Sequence, residues 1–486
     1  MNRRTSGVLA ATLLWAGGAA AQMAENPVGG TAVRTTNDSD ANSAKSQAVE
    51  QMALRILATE PVQRALADGL QVFGSSKEAS KPDAMRYARS ALQETGMFAS
   101  LNAAMGVAPE PTFIWLYATP RSWHGYSMPG SRWYADNVDT MYRVLRVDER
   151  SSYEITVYPA RTLPAQLSFM VYDWLMHNGM NPRNDVPLGT VTISEDTPRN
   201  ADGSITLTLG PEPAAGRRNH VELKPTAKAV VVREIRGDWS PPMVRLAVKQ
   251  TGGPAPLAKP LDALADEAAA YVRDGVNATV NISVGFGSMA ENQLGELHVR
   301  WVEETGSKEQ KLTSDEPLGP ERALGFLSSF KFNLKEDEAL VLTLSTTGTG
   351  YMGLNTYRPF LVTPEHVQAT SSTNNYQAKA NPDGTFTVVI ARKDPGVYNW
   401  IDVSGIPYGF AGVRWQSLTK PTIGNLANAV RMQKVVKLKD LHQELPPTMV
   451  WVTPQERAQQ RALRAEQFRL RCLGTPCEVG GKLDKP

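Results

Sequence analysis

The sequence predicts a mainly β protein with added helices: two jelly-roll or β-sandwich-like units related by internal duplication, an N-terminal helical cap and C-terminal helices. Turn and strand signals recur at a near-constant separation. Asp202-Gly203 leads the alternating run Ser204–Leu209, then Gly216, Asn219-His-Val-Glu222 and Ala229-Val-Val-Val-Arg233. Asp383-Gly384 leads Thr385–Ile390, then Gly396, Asn399-Trp-Ile-Asp402 and Phe410-Ala-Gly-Val-Arg414. The separations are 181 residues at the glycine of Asp-Gly, 180 at the next glycine and at the asparagine, and 181 at the arginine. Upstream, Tyr153–Val157 with Tyr172 parallels Ala339–Leu344 with Tyr357, the tyrosines 185 apart. A repeat in one order sets the architecture. From residue 111 aromatic and β-branched runs of period two are broken by Pro, Gly and Asn, as in antiparallel sandwiches and jelly rolls. Before residue 111 the period is helical.

The elements follow in order. Met1-Asn-Arg-Arg is basic, Gly7 to Ala20 is apolar and short, and Ala19-Ala-Ala21 offers small residues for cleavage before Gln22. This reads as a secretory signal peptide over 1–21, since a spanning helix needs about 20 apolar residues. Residues 22–43, rich in Thr, Asn, Asp and Ser, read as a flexible lead-in. The cap, 44–110, holds helical patterns at 44–72 and 82–104, the second entered through Pro82-Asp83. The first β domain is placed at 111–250. Thr251-Gly-Gly-Pro-Ala-Pro256 begins a linker, 251–280, whose Pro260–Val276 suits an amphipathic helix between the domains. The second β domain is placed at 281–422, and residues 423–486 read as C-terminal helices over 423–443 and 453–472 with a disulfide loop. The last helix is polar nearly all round, which predicts a surface position or a contact with another subunit.

Composition narrows the function classes. Beyond about 250–300 residues chains divide into domains, and 486 residues with 42% hydrophobic side chains allow substantial cores. The 51 basic and 49 acidic residues leave a net charge of +2, which gives no electrostatic reason to propose nucleic acid or an acidic membrane as partner. Cys472 and Cys477 are the sole cysteines. In an exported chain they favour a small closed disulfide loop, since zinc partners are lacking nearby and the spacing differs from that of redox-active pairs. There is no nucleophile elbow, phosphate loop, dinucleotide fingerprint or His-Glu-x-x-His. The six histidines, at 124, 177, 220, 298, 366 and 442, are scattered. The sequence therefore names no cofactor and no metal site.

One polar-aromatic cluster remains, Arg132-Trp-Tyr-Ala-Asp136-Asn137-Val-Asp139-Thr-Met-Tyr142-Arg143. Carboxylates accept from hydroxyls, arginine donates a fork, and aromatic rings stack on sugars. Trp133, Tyr134, Asn137, Tyr142 and Arg143 are the candidate ligand-binding residues. Asp136 and Asp139, with Glu222, are candidate acid and base residues if burial separates their pKa values. The competing reading is an Asx-type turn whose side chains serve the backbone. The pairs Asn219 with Glu222 and Asn399 with Asp402 precede Arg233 and Arg414, so each arginine could reach back to its unit's acid as a turn lock.

Leu334-Lys-Glu-Asp-Glu-Ala-Leu340, Asn374-Asn-Tyr-Gln-Ala378, Lys393-Asp-Pro-Gly-Val-Tyr-Asn-Trp-Ile-Asp402 and Val413-Arg-Trp415 resemble the C-terminal signature of the bacterial domain-of-unknown-function family twelve-fourteen. The run Asp136–Tyr142 is similar to the Asn-Asp-Thr-x-Tyr motif of that family and of its frequent neighbour, twelve-fifty-four, with Val138 where many relatives have Pro or Asn. The resemblance implies a β-rich, jelly-roll-like architecture and export, and it implies no reaction.

The expected function is thus an exported protein, periplasmic or secreted, that binds a small polar or carbohydrate-like ligand in a cleft near the Asp136–Tyr142 loop. A hydrolase or lyase with paired carboxylates, and a structural or assembly protein with no small-molecule site, stay open. No membrane segment is expected after signal cleavage, and the oligomeric state is open.

Overall fold

The structure, a computed structural model, describes residues 39–480 apart from 107, 159–162, 174–186, 304–305, 312–316, 319–322 and 419. The predicted signal peptide and lead-in as far as residue 38 lie outside the described residues. Ser39–Ser43, by contrast, belong to the fold: the Ser39 hydroxyl lies 3.2 Å from Val248 O, and Asp40 meets Arg143. Polar composition alone suggested mobility there, but a buried arginine gives that carboxylate its partner.

The first helical pattern is two helices, α1 (Ala44–Leu57) and α2 (Glu60–Ser75), because Pro61 lacks an N–H and suits the opening turn of a new helix. With α3 (Ala84–Met105) and α4 (Leu261–Gly287) they form one layer. At Gly69 a Cβ would come within 2.9 Å of both Leu92 and Val276, so glycine sets the close approach of α2 to α3 and α4. The layer's apolar face shares a core with Val144, Met170, Tyr172 and Val231 of the first β unit and with Tyr357, Tyr408 and Phe410 of the second. Each large apolar side chain so buried contributes about 1.5–3 kcal/mol. The linker helix therefore extends further than predicted, and it touches both units as part of the cap.

In the first unit a five-stranded sheet runs in the order Ile114–Leu116, Thr140–Arg146, Ala229–Ile235, Gln166–Tyr172 and Gly189–Thr192. Opposite lies a four-stranded sheet, Arg245–Gly252, Ser152–Tyr158, Ile205–Gly210 and His220–Glu222. Alternation sends Ile155, Val157, Leu207 and Leu209 from one sheet, and Leu167, Phe169, Val230 and Val232 from the other, into a common core. In the second unit Ala323–Asn333, Tyr408–Gln416, Tyr351–Tyr357 and Ser372–Asn374 lie side by side, extended by His298–Glu303 and Gly306–Lys311. Its other sheet runs Val430–Lys437, Glu338–Leu344, Phe386–Ala391 and Trp400–Asp402. Among the described residues the sheets are open and none closes into a barrel. In each four-stranded sheet one outer pair is parallel.

The C-terminal region departs from its prediction. Within 423–443, Val430–Lys437 is a strand on Glu338–Leu344, because a valine-rich segment meets an open sheet edge. Thr453 and Glu456 form a capping box that starts helix Pro454–Phe468. The helix lies at the surface, but two of its three arginines are buried: Arg457 lies over Trp400 and pairs with Asp394, and Arg464 lies 4.2 Å over Trp239 and donates to His366 O at 2.6 Å. Hydropathy misses guanidinium stacking on indole, which suits both groups. Cys472 and Cys477 are disulfide-bonded, and Cys477–Val479 pairs with Arg121–Trp123. Closing so short a loop constrains the unfolded chain by about 2 kcal/mol. Cys472→Ser with Cys477→Ser should lose about that much in urea melts, and an unchanged midpoint would contradict it. Among the described residues no helix is long and apolar enough to cross a membrane.

Candidate functional site

The loop before strand Thr140–Arg146 is where the two β units, the helical layer and the C-terminal segment meet. Asn137 shapes it: its Oδ1 accepts from Asp139 N at 3.1 Å, its carbonyl from Thr140 N at 2.9 Å, and its N–H donates to Tyr142 Oη at 3.0 Å. From the second unit, Asn355 Nδ2 donates to the same Oδ1 at 3.3 Å. Asp139 is fully occupied, with Oδ1 accepting from Trp239 Nε1 at 2.9 Å and Oδ2 from Tyr351 Oη at 2.7 Å. Arg471 Nη1 donates to Val138 O at 2.6 Å. Asn137 and Asp139 thus act as the predicted Asx-type turn, tied into both units.

Upstream, Arg132 pairs with Glu94 of α3 and also donates to Thr363 O at 3.0 Å. At Gly130 a Cβ would lie 2.6 Å from Glu94 Oε2, so glycine lets that carboxylate approach the loop. Trp133 donates to Thr279 Oγ1 at 3.0 Å and packs against Phe98. Tyr134 and Ala135 then take φ of 63° and 53°, facing Phe360 and Leu361 at 65° and 64°, and Ala135 N donates to Leu361 O at 3.1 Å. Non-glycine residues held in this region cost on the order of 1 kcal/mol or more each, and such strain concentrates at functional sites.

Asp136 follows these strained residues and differs from Asp139, both of whose oxygens are bonded. Asp136 is 6% exposed, and its Oδ1 has no hydrogen-bond partner. Burial pushes its carboxyl up to about 7, opposed by Arg132, Arg414 and the nearby Thr363 hydroxyl and reinforced by Glu94. Arg414 does not reach Asp402, as the sequence suggested, but donates to Tyr357 Oη at 2.6 Å and Ala135 O at 2.7 Å. Asp402 instead pairs with Arg461. Burial also raises the Tyr357 hydroxyl to about 12.

A carboxyl whose folded pKa is raised binds its proton more tightly in the folded chain. That contribution is fully present below the unfolded value near 4 and is lost as pH rises toward about 7. Wild type should therefore lose stability against Asp136→Asn over that interval in pH-resolved urea melts. Parallel curves for the two proteins would refute the assignment.

The other predicted site residues are placed as follows. Tyr142 packs against Tyr117 with ring centroids 4.7 Å apart, and the Arg233 guanidinium lies 5.6 Å from its ring centre. Arg143 is fully buried inside the first unit among Asp40, Glu234 and Val244 O. Glu222 lies at an edge of the opposite, four-stranded sheet, and no contact joins it to Asp136 or Asp139. Asn219 and Asn399 serve their turns alike, each donating from Nδ2 to a strand carbonyl at 2.8 Å. A depression of about 670 Å³ beside Ser122–Ser127 and the disulfide loop, and one of about 310 Å³ between α2 and α4, contain none of the predicted site residues.

Sequence reasoning missed Glu94, Trp239, Tyr351 and Asn355 as members of this cluster and gave Arg414 another partner. Glu94 carried a signal, being an acid within an otherwise apolar stretch of a helix. Tyr351 and Asn355 carried none.

Residues 134–235 match the family described as protein of unknown function DUF1214. The matched span runs from the strained loop to the end of strand Ala229–Ile235, within the first unit, and the resembling runs between residues 334 and 415 lie outside it. No curated protein matches the chain. The crystal structure of an uncharacterized protein from Burkholderia cenocepacia is similar at 20% identity and a TM-score of 0.59, covering 80% of this chain and 99% of that one. A protein from Vibrio parahaemolyticus aligns over 75% of this chain and 100% of its own, at 10% identity and a TM-score of 0.34. The first likeness shows the fold alone.

Proposed function

We propose that the chain is an exported binding protein that holds a small polar, carbohydrate-like ligand at Asp136, where the two β units meet. The observation that carries this reading is the unpartnered Oδ1 of a buried carboxyl placed directly after two strained residues. Buried polar atoms without partners are uncommon in folded proteins, and this one suits a ligand hydroxyl. Export is supported by the basic and apolar opening residues and by the disulfide. We further read the two units as products of duplication, each of jelly-roll-like type. Support comes from matched turns: Asn200 Nδ2 reaches Ser204 and Thr206 at 2.9 Å, as Asn381 Nδ2 reaches Thr385 and Thr387.

A structural or assembly role is the second reading, favoured by the full commitment of Asn137 Oδ1 and Asp139 to the protein itself. The paired-carboxylate alternative has no such support, since both Asp139 oxygens are bonded and Glu222 belongs to another sheet.

Thermal melts against sugars and polyols test the reading. A ligand at about a hundred times its Kd stabilises the native state by about 2.7 kcal/mol. The expected result is a shift from one class that Asp136→Asn weakens at least tenfold. No shift from any class, or an undiminished shift in the variant, favours the structural role.

A further inference from the structure

Tyr142, whose hydroxyl accepts from Asn137 N and whose ring lies against Arg233, adjoins a second group of polar side chains, and we propose that this group holds the anionic end of the same ligand, making the ligand a small hydroxy acid. Arg233 would receive its carboxylate while Asp136 accepts from its hydroxyl. The inference rests on the Asp136 reading above.

Strand register assembles the group. Thr140, Ile235 and Gln166 stand side by side on the helix-facing side of the five-stranded sheet, and Tyr142, Arg233 and Ser168 form the next row. The following row, Val144, Val231 and Met170, is apolar and lies in the core beneath the helices. The sheet face thus turns polar at the end adjoining the loop, and at its far end Arg146 is paired with Glu267.

Arg233 is the distinctive member. Its guanidinium lies over the Tyr142 ring, yet among the described residues it has no hydrogen bond and no ion pair, and its Nε is buried without a partner. Arg414, 181 residues further on, occupies the matching place in the second unit and is bonded to Tyr357 and Ala135. One unit uses this arginine internally, and the other leaves it available.

The neighbours repeat the pattern. Thr140 Oγ1 and Gln166 Oε1 are also buried without partners. Gln166 Nε2 donates to Ser168 Oγ at 2.8 Å, and Ser168 Oγ lies 2.9 Å from Thr192 Oγ1. Arg233 is partly exposed and Thr192 exposed, so this edge is open to solvent. A planar guanidinium binds carboxylate through two parallel hydrogen bonds. A single unpaired arginine matches a monoanionic group better than a dianion, and the unpartnered hydroxyl and amide oxygens beside it suit ligand hydroxyls.

Thermal melts at neutral pH with glycerate, tartrate and gluconate, each against its neutral polyol glycerol, threitol and sorbitol, test the proposal. Wild type is compared with Arg233→Gln and Asp136→Asn, each relative to its own unliganded melt. The expected result is stabilisation by at least one acid and not by its polyol. Arg233→Gln should bind that acid roughly tenfold to a hundredfold more weakly, the worth of a hydrogen bond to a charged group. Equal stabilisation by acid and polyol, lost in Asp136→Asn alone, overturns the anionic end and leaves the Asp136 reading standing. An acid effect that survives Arg233→Gln also overturns this assignment. No shift from any compound overturns both.

Discussion

Replacing Arg143 with methionine is expected to cost about 3–5 kcal/mol, the loss seen when one partner of a buried ion pair is removed. The guanidinium is fully enclosed between the sheets of the first unit. Nη1 donates to both Asp40 oxygens at 3.1 and 3.2 Å and to Val244 O at 2.8 Å, while Nη2 donates to Glu234 Oε2 at 2.6 Å. Arg236 reaches the other oxygen of Glu234 at 2.7 Å, so Glu234 keeps one cation after the change. Asp40 keeps backbone donors, including Leu246 N at 2.8 Å, but loses the fork of Arg143. Urea melts measure the loss, and Arg143→Lys, which restores charge without the fork, should recover part of it. A methionine variant as stable as wild type would show that the network contributes nothing to the core.

Trp239→Ala is expected to be comparably severe, about 3–5 kcal/mol for a buried aromatic. Its ring is sandwiched by Arg464 and Arg471 and meets the edge of Phe468 at 5.3 Å. Its N–H holds Asp139 Oδ1, so the loop loses an anchor together with the packing. Trp239→Phe separates the two effects. It keeps a ring between the arginines and leaves one carboxylate oxygen without its donor, a cost of about 1–3 kcal/mol. Chemical denaturation of the two variants gives the comparison, and equal losses would mean that the hydrogen bond dominates and the stacking adds little.

The sequence shows local features well and distant ones poorly. The Asp202-Gly203 and Asp383-Gly384 turns are visible because glycine suits a positive φ, here 82° and 79°, and the alternating strands after them follow from period. The cap helices and the disulfide loop were likewise legible. Helix Pro454–Phe468 was legible as well, but the burial of two of its arginines was not, because composition does not reveal that Arg457 and Arg464 have indole rings and carbonyls waiting in the other parts of the fold. At the candidate site, Asn137 and Asp139 were visible as a turn. Their partners Tyr351 and Asn355 were not, since they lie more than 200 residues away and only the docking of two units brings them in. Asp136 and Asp139 look equivalent on paper. Burial and hydrogen bonding alone separate the occupied acid from the unpartnered one.

The C-terminal segment also bears on the order in which the chain can become complete. Ser39 and Asp40 are held in part by residues 244–248, and Val138 and Trp239 are covered in part by Arg464, Phe468 and Arg471. A chain emerging from its N-terminus therefore presents this face of Trp239 and this side of the loop without their cover until residues 464–471 appear. Loss of that stretch would leave the central junction open to chaperones and proteases.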